Sequence, residues 1–231
     1  MQSEVVLSVR NFRKKYGSVT AVDDLNFEVR RGEIYGLLGP NGAGKTSTLE
    51  TLEGLRKPDG GSLNILGVDP TRQPQKLRNL IGVQLQSSGL PPMMTVEEAM
   101  QFFCAYHGVP ARMDLIDRLG LIAKRRVQFS QLSTGLQRRL TLALAMAHRP
   151  QVLFLDEPTA GLDVPSRIEL HELMAEIRAG GTTILLVEQR LAESLEISDR
   201  AYVLQTGQMV LSGPSSTIRD DPDIRRVYLG M

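Results

Sequence analysis

The stretch GPNGAGKTS, residues 39–47, contains the residue types that bind phosphate groups. It fits the pattern G-x-x-x-x-G-K-[ST], with Gly39, Gly44, Lys45 and Thr46 at the fixed positions. Glycines let backbone N–H groups curve around phosphate oxygens, and a helix start adds unpaired donors and a partial positive charge. The Lys45 ammonium would lie on the outer phosphates, and the Thr46 hydroxyl could bind Mg²⁺. The alternative is a glycine-rich turn without a ligand.

The stretch VLFLDEP, residues 152–158, places two carboxylates directly after four apolar residues. In an α/β sheet, ligands bind beyond the carboxyl ends of the strands, so these carboxylates are expected beside the phosphates. Asp156 would hold Mg²⁺, and Glu157 would orient and deprotonate an attacking water, which contributes about 10²–10⁴ in rate. The alternative is a pair of solvated charges at a strand end.

The elements around these motifs alternate between strand and helix patterns. This alternation predicts an α/β fold whose mostly parallel core sheet is buried on both faces, preceded by an antiparallel β region. Strands are predicted over residues 5–10, 21–30, 33–39, 62–67, 151–157 and 182–188, with a hairpin around Thr206-Gly207. Helices are predicted from Thr46, from Leu136 to His148 and over residues 166–180.

Residues 88–128 have a different pattern, with no strand signal. A helix is predicted from Thr95, because Glu97 and Glu98 follow in its first turn, and helical spacing continues over residues 114–127. We therefore predict one domain over residues 1–231, with a nucleotide-binding core at 1–86 and 150–231 and a helical subdomain at about 87–149. The basic residues of RRVQFS and QRRL are predicted to lie on solvated helix faces.

Composition excludes several classes of protein. The chain has 231 residues and a net charge of +1, which gives no strong attraction to nucleic acid or anionic lipid. The single cysteine, Cys104, cannot form an internal disulfide and is predicted to pack as a small apolar residue. No segment approaches the roughly 20 apolar residues of a membrane span, and no secretion signal is visible. A role at a membrane would therefore require another chain.

The order and spacing of three motifs resemble one family. GPNGAGKTS is followed by LSTGLQRR and then by VLFLDEPTAGLD, with 88 residues from Lys45 to Ser133. Over essentially its whole length, the chain resembles the ATPase subunits of ATP-binding cassette (ABC) transporters, which have a P-loop NTPase fold. This resemblance implies ATP and Mg²⁺ as cofactors, hydrolysis to ADP and phosphate, and a separate integral membrane transporter subunit. It also implies a peripheral location on the cytoplasmic face of the cell membrane, without a nucleic-acid partner.

The resemblance assigns roles to further residues. LSTGLQRR is similar to the family signature L-S-G-G-Q, whose helix start, here Ser133 and Gly135, covers the γ-phosphate bound by the partner subunit. A second cassette, identical or different, is therefore expected to pack head to tail. Tyr16 resembles the aromatic residue that stacks on adenine, although an ordinary turn tyrosine is the alternative. Asp163 resembles the residue that links the two sites across the dimer.

The functional residues implied by the motifs and the resemblance form three groups: catalytic residues, metal ligands and nucleotide-binding residues. Gln86 resembles the glutamine that reaches Mg²⁺ and the attacking water, with Gln84 as the alternative. The predicted catalytic residues are Lys45, Gln86, Glu157 and Gln189, and the predicted metal ligands are Thr46, Gln86 and Asp156. The residues predicted to bind nucleotide are Tyr16, Gly39, Pro40, Asn41, Gly42, Ala43, Gly44, Lys45, Thr46, Ser47, Ser133 and Gly135.

Three positions depart from the family pattern. Thr134 replaces a signature glycine and would weaken the anion site if its φ had to be positive. Leu136 replaces the signature glutamine. Gln189 stands where a histidine is usual; it keeps a hydrogen-bond donor but no titratable group, so we expect slowed rather than abolished hydrolysis.

The two halves of the chain resemble transporters of opposite direction. The first half of the chain resembles drug and polysaccharide export ATPases, whereas the Glu188-Gln189 pair and IRRVYLGM resemble branched-chain amino acid importers. Export is favoured, because the Gln86 loop and the helical subdomain contact the membrane subunit in this family. The alternatives are a soluble ATPase of the same fold acting on nucleic acid or ribosomes, and a nucleotide-dependent regulator with weakened hydrolysis.

Overall fold

Strands of the computed structural model form two sheets, and the model describes residues 4–87 and 89–221. The strands are β1 (Val5–Tyr16), β2 (Val19–Arg30), β3 (Ile34–Leu38), β4 (Gly60–Ile65), β5 (Ile81–Gln84), β6 (Val152–Asp156), β7 (Thr183–Glu188), β8 (Arg200–Gln205) and β9 (Gln208–Pro214). The helices are α1 (Lys45–Leu52), α2 (Pro74–Arg78), α3 (Val96–Tyr106), α4 (Met113–Arg118), α5 (Thr134–Ala145), α6 (Val164–Ala179), α7 (Leu191–Ile197) and α8 (Ser215–Arg219).

The larger sheet has the strand order β5-β6-β7-β3-β8-β9, and all neighbours are parallel except β8 and β9. Every residue of β3, β6 and β7 is buried, which explains why these strands are nearly continuous apolar runs. The register pairs Leu38 with Glu188 and Asp156 with Val187. The carboxyl ends of the central strands therefore meet at one edge, and the predicted mostly parallel sheet is confirmed.

The smaller sheet is antiparallel, with the order β2-β1-β4, and it covers one face of the larger sheet. Apolar side chains of both sheets form one core, in which Phe27 stacks on Tyr35 with ring centroids 5.6 Å apart. The other face, which includes Leu153, Leu155 and Leu186, packs against helices α3 to α6. Alternate residues of each strand thus face opposite layers, as the period of a strand requires.

Helix α3 begins as the sequence predicts, because Thr95 and Glu98 form a reciprocal capping box. The predicted helix over 114–127 is wrong in its extent. Helix α4 ends at Arg118, because Gly120 adopts a left-handed φ of 71°, and 3₁₀ turns follow at Ile122–Lys124 and Phe129–Gln131. Cys104 is buried, as predicted.

Four short elements were not among the predicted ones: α2, β5, α7 and α8. Each has four to seven residues, too few for a clear periodic pattern. The segment IRRVYLGM lies outside the described residues. Within residues 4–87 and 89–221, none of the helices has the length and apolar character needed to span a bilayer.

Strand β5 leads into the segment that carries Gln86, and its packing depends on Gly82. A Cβ atom at Gly82 would lie 2.1 Å from the Ala145 carbonyl oxygen and 2.9 Å from Pro150 Cγ. We expect Gly82→Ala to lower the free energy of unfolding by about 1–3 kcal/mol, because β5 must move away from the end of α5. Urea denaturation followed by circular dichroism measures this change.

The matched control for this substitution is Gly60→Ala. Gly60 also lies in a strand, but a Cβ there would meet Arg13 at an ordinary 3.5 Å. It should change stability by less than about 0.5 kcal/mol. Equal midpoints for the two variants would show that β5 has room to accommodate a side chain.

Candidate nucleotide-binding and hydrolysis site

The loop of residues 39–44 joins the carboxyl end of β3 to the start of α1. Gly44, the residue that precedes α1, has a left-handed φ of 99°, and a Cβ there would lie 2.6 Å from the Ala21 carbonyl oxygen. This position therefore requires glycine. A cavity of about 230 Å³ opens at this loop, and it is lined by Ala21, Asn41, Gly42, Gly44, Lys45, Thr46, Ser47 and Glu157. The structure thus places the predicted phosphate loop and Glu157 around one space.

Lys45 is 4% exposed and lies at the base of this cavity. Its Nζ donates hydrogen bonds to the carbonyl oxygens of Gly39, at 2.8 Å, and Pro40, at 3.0 Å. Glu157 Oε1 lies 3.9 Å from the same nitrogen. Burial lowers the pKa of the Lys45 ammonium, and the carboxylates of Glu157 and Asp156 oppose this shift. A phosphate would add negative charge beside the cation and favour its protonated form.

Asp156 and Glu157 lie at the carboxyl end of β6, and both are nearly buried. The chain turns sharply after Asp156, because Glu157 has a left-handed φ of 46°, which is uncommon for a non-glycine residue. Burial and the neighbouring Glu157 charge raise the pKa of Asp156 to about 6, although Lys45 opposes this shift. The carboxylate of Asp156 is therefore in a position where a cation would stabilise its charged form.

Two side-chain amides hold the Glu157 carboxylate. Gln86 Nε2 donates to Glu157 Oε2 at 2.9 Å, and Gln189 Nε2 donates to Glu157 Oε1. Gln84 points elsewhere: it is 1% exposed and donates to Thr141 Oγ1 at 2.9 Å. Of the two glutamines that the sequence left open, only Gln86 contacts Glu157. This arrangement can fix the orientation of a general base without adding charge to it.

Two functional residues were missed by the sequence analysis. Glu188, the last residue of β7, accepts hydrogen bonds from Thr159 N and Oγ1 and thereby holds the loop after Glu157. Burial raises the pKa of Glu188, although these hydrogen bonds oppose the shift. The position of Glu188, at a strand end and directly before Gln189, is the sequence feature that could have identified it.

The second missed residue is Arg138 on α5. The prediction that the basic residues of QRRL lie on a solvated face is wrong for Arg138, which is partly buried. Its Nη1 donates to the Gln86 carbonyl oxygen at 2.6 Å, and its Nη2 reaches the Ala160 carbonyl oxygen at 3.5 Å. Burial lowers the pKa of Arg138, and the carboxylates of Glu188, Asp156 and Glu157 oppose this shift. No sequence pattern distinguishes Arg138 from its neighbour Arg139, which pairs with Glu169.

Ser133 and Gly135 lie at the start of α5, and neither of them lines the cavity of this chain. Ser133 is the N-cap, and its Oγ accepts a hydrogen bond from Leu136 N at 3.3 Å. Thr134 lies within α5 and has a negative φ, so its side chain causes no backbone strain. Leu136 is partly buried against the helical core, which accounts for an apolar residue at this position.

Tyr16 lies beside the site, whereas Asp163 does not line the cavity and caps a helix. Tyr16 ends β1, is 40% exposed, and its hydroxyl is 3.3 Å from Ser47 Oγ in the phosphate loop helix. This places its ring beside the cavity, where a base could stack. Asp163 is the N-cap of α6 and accepts a hydrogen bond from Ser166 N at 3.2 Å.

Comparison with known proteins identifies the family. The model of the ABC transporter family matches residues 22–160. The chain belongs to the ABC transporter family. The Nod factor export ATP-binding protein I of Ralstonia nicotianae is 41% identical over 217 residues, which cover 91% of this chain and 68% of the relative. The daunorubicin resistance ATP-binding protein DrrA3 of Streptomyces coeruleorubidus is 34% identical over 223 residues, which cover 94% of this chain and 71% of the relative.

Solved structures of ABC proteins have the same fold as this one. The ADP conformation of an ATP-binding cassette of an ABC transporter matches with a TM-score of 0.87 and 23% identity, and it covers 99% of this chain and all of that one. CbiO1 of Clostridium perfringens, part of an ABC transporter complex, matches with a TM-score of 0.86 and 27% identity. The match covers 98% of this chain and 95% of CbiO1. This ABC protein is therefore an ATP-binding subunit with ATPase activity coupled to transport.

The raised pKa of Asp156 predicts how pH affects the stability of this ABC protein. Because the folded chain disfavours the ionised carboxylate, Asp156 destabilises the fold above about pH 6, and this effect disappears as the pH falls below about 4. Without ATP and Mg²⁺, we expect Asp156→Asn to increase the free energy of unfolding by about 1–3 kcal/mol at pH 8. Urea denaturation at pH 8 and at pH 4 measures the difference.

Asp114→Asn is the control for the Asp156 variant, because its charge has the opposite effect. The Arg112 guanidinium beside Asp114 lowers the pKa of that carboxyl, so its removal should give no gain in stability at pH 8. A similar gain in both variants would attribute the effect to net charge rather than to the environment of Asp156.

Proposed function

We propose that this subunit binds Mg²⁺–ATP between two facing cassettes and hydrolyses it to power export through a separate integral membrane subunit. The observation that supports hydrolysis most directly is the position of Glu157. Its carboxylate borders the phosphate-loop cavity, 3.9 Å from the Lys45 ammonium, and two neutral amides orient it. A carboxylate fixed beside a phosphate site is a suitable general base for an attacking water.

Each residue of this site would have a different chemical role. Lys45 and the N–H groups at the start of α1 would bind the β- and γ-phosphates and stabilise charge that develops on them. Glu157 would accept the proton of the attacking water, while Gln86 and Gln189 keep its two oxygens in place. Tyr16 would stack on the adenine ring, which contributes about 1–3 kcal/mol to binding.

Oxygen donors in and beside the cavity fit Mg²⁺: Thr46 lines the cavity, whereas Asp156 precedes Glu157 in the chain and Gln86 is hydrogen-bonded to it. The Thr46 hydroxyl, the Asp156 carboxylate and the Gln86 amide oxygen are hard oxygen ligands, and the raised pKa of Asp156 indicates that a cation is favoured there. When bound, Mg²⁺ would neutralise phosphate charge and polarise the phosphoryl group. We assign Thr46, Gln86 and Asp156 as its ligands.

A second cassette would complete the site. Ser133 and Gly135 form a helix start that offers an anion-binding end, yet neither lines the cavity of its own chain. We assign them to the γ-phosphate held by the partner's Lys45 loop, with Asp163 at the contact between the sites.

Within each cassette, we assign residues 1–86 and 150–231 to the nucleotide-binding core and residues from about 87 to 149 to the helical subdomain.

Export is favoured over import by the relatives. Two ABC proteins that match more than 90% of this chain are described as a Nod factor export protein and a daunorubicin resistance protein. Of the two features that resemble importers, IRRVYLGM lies outside the described residues, and the Glu188-Gln189 pair makes its hydrogen bonds with Thr159 and Glu157 at the proposed hydrolysis site. We place the subunit on the cytoplasmic face of the cell membrane, because ATP is supplied on that side.

Glu157→Gln tests the assignment of the general base. The amide cannot accept the proton of the attacking water, so we expect kcat to fall by about 10²–10⁴ while ATP binding persists. Phosphate release measures kcat, and light scattering with ATP and Mg²⁺ should detect a stable dimer. The control is Glu169→Gln, which removes an exposed carboxylate paired with Arg139. Hydrolysis by the Glu157 variant at the rate of the control would exclude Glu157 as the base.

Gln189→Ala tests the second amide. Loss of a hydrogen bond to a charged group is worth about 1.5–3 kcal/mol, so kcat should fall by about 10–150-fold with little change in ATP affinity. Gln189→His should retain a donor and add one titrating group, the imidazole, to the dependence of kcat on pH between about 5 and 8. Gln208→Ala, an exposed glutamine in a hairpin, is the control. Full activity of Gln189→Ala would show that Gln86 alone suffices.

A further inference from the structure

A second polar cavity lies at the amino end of the core sheet, the edge opposite to the phosphate loop. It encloses about 370 Å³, a volume suited to a small molecule. Its walls come from α4, from the connections that lead into β6 and β7, and from the turn before β3. Among the described residues, four arginines and no acidic residue line it: Arg31, Arg112, Arg118 and Arg149. We call it the arginine cavity.

Two of these arginines are held by a carboxylate that does not line the cavity. Arg112 donates to both oxygens of Asp114, through Nε at 2.8 Å and through Nη2 at 2.7 Å. Arg31 Nε donates to Glu4 Oε2 at 2.7 Å. Because a guanidinium has five N–H groups, each of these side chains keeps further donors after its ion pair has formed. The carboxylates therefore fix the two cations in place without using all of their donors.

The other two arginines are less constrained. Arg118 Nη2 lies 3.7 Å from Glu176 Oε2, which is too long for a hydrogen bond. Arg149 is exposed, and within residues 4–87 and 89–221 its guanidinium has neither an ion pair nor a hydrogen bond. Four guanidinium charges thus stand against three neighbouring carboxylates. The cavity keeps an excess of positive charge, and its strongest unpaired cation is Arg149.

Neutral donors accompany the arginines. Gln151 lines the cavity, and its Oε1 accepts a hydrogen bond from Arg31 Nη1 at 3.2 Å, so its amide N–H groups remain available to a ligand. Thr182 also lines the cavity, and its hydroxyl is a further donor. A lining that combines guanidinium groups, an amide and a hydroxyl, without a carboxylate, is complementary to an anion.

We propose that the arginine cavity binds a small soluble molecule that carries two or more linked phosphate groups. Guanidinium groups match phosphate oxygens in a bidentate geometry, and arginine is the residue best suited to this contact. The cations come from four separate segments, so a diphosphate can contact several of them at once, whereas a single phosphate cannot. The inference goes beyond the proposed function and does not rest on it.

A ligand in this cavity would connect α4 to the core sheet. Arg112 is the N-cap of α4 and Arg118 is its last residue, whereas Arg31 and Arg149 lie in connections to strands of the sheet. A diphosphate bound by cations from both sides would hold α4 against the amino edge of the sheet. Because it would bind only the folded chain, it would also stabilise that chain against unfolding.

The test is isothermal titration calorimetry with inorganic pyrophosphate as the probe. The titration is carried out at low ionic strength, where charge attraction is least screened, and without divalent cations, which would chelate the probe. Pyrophosphate should also enter the phosphate-loop cavity, so the parent protein should bind two molecules per chain. Lys45→Ala removes the ammonium of that loop and should leave one site, the arginine cavity.

Arg149→Gln should affect the other site. We expect it to weaken binding at the arginine cavity by about 10–150-fold, because it removes charge-assisted hydrogen bonds to phosphate. Arg126→Gln is the matched control: Arg126 is also exposed and without an ion pair among the described residues, but it does not line the cavity. It removes the same charge, so affinity should stay within about twofold of the parent value.

Thermal unfolding gives an independent measurement. Pyrophosphate should raise the Tm of Lys45→Ala but not that of a protein carrying both Lys45→Ala and Arg149→Gln. If Lys45→Ala does not fold, the number of sites in the parent protein and in Arg149→Gln, two against one, decides the question.

Three outcomes would overturn the inference. The first is that Lys45→Ala binds no pyrophosphate, and the second is that Arg149→Gln and Arg126→Gln bind it equally well. The third concerns a lipid headgroup as the source of phosphate: the chain would sediment with phosphatidylcholine vesicles that contain phosphatidic acid, would lose this binding in Arg149→Gln, and would not bind free pyrophosphate. None of these outcomes affects the proposed ATPase function, which the Glu157 variant tests separately.

Discussion

The electrostatic interaction of one buried cation with a group of buried carboxylates is the constraint on which this site depends. Lys45 lies between the phosphate-loop carbonyls and Glu157, with Asp156 and Glu188 close enough to affect its pKa. Such a group of charges is costly to bury unless it is paired and hydrogen-bonded. The parallel sheet imposes this arrangement, because the carboxyl ends of β3, β6 and β7 meet at one edge.

The site meets this cost with neutral donors and one further cation. The amides of Gln86 and Gln189 fix the Glu157 carboxylate without changing its charge, and Thr159 does the same for Glu188. Arg138 supplies positive charge from α5 and holds the carbonyl oxygen of Gln86. Helix α5 is therefore connected, through the Arg138 side chain, to the segment that carries Gln86, which in turn binds Glu157, the proposed general base.

The two ends of helix α1 face different surroundings. Its start, with the Lys45 ammonium, lies at the phosphate-loop cavity, while Glu53 at its end lines a mostly apolar cavity together with Ile81 and Phe103. The helix dipole favours an anion at the first end and disfavours one at the second.

The sequence by itself determined the phosphate loop, the acidic strand end and the strand–helix alternation, because these depend on local residue order and on period. It also determined the family, because three motifs occur in a fixed order. Short elements such as β5 and α7 escaped prediction, since four to seven residues give little periodic signal. Only the tertiary structure showed that Gln86, and not Gln84, contacts Glu157, and that Arg138 reaches the Gln86 segment. These outcomes depend on packing between segments far apart in the chain, where a side chain's neighbours rather than its type fix its role.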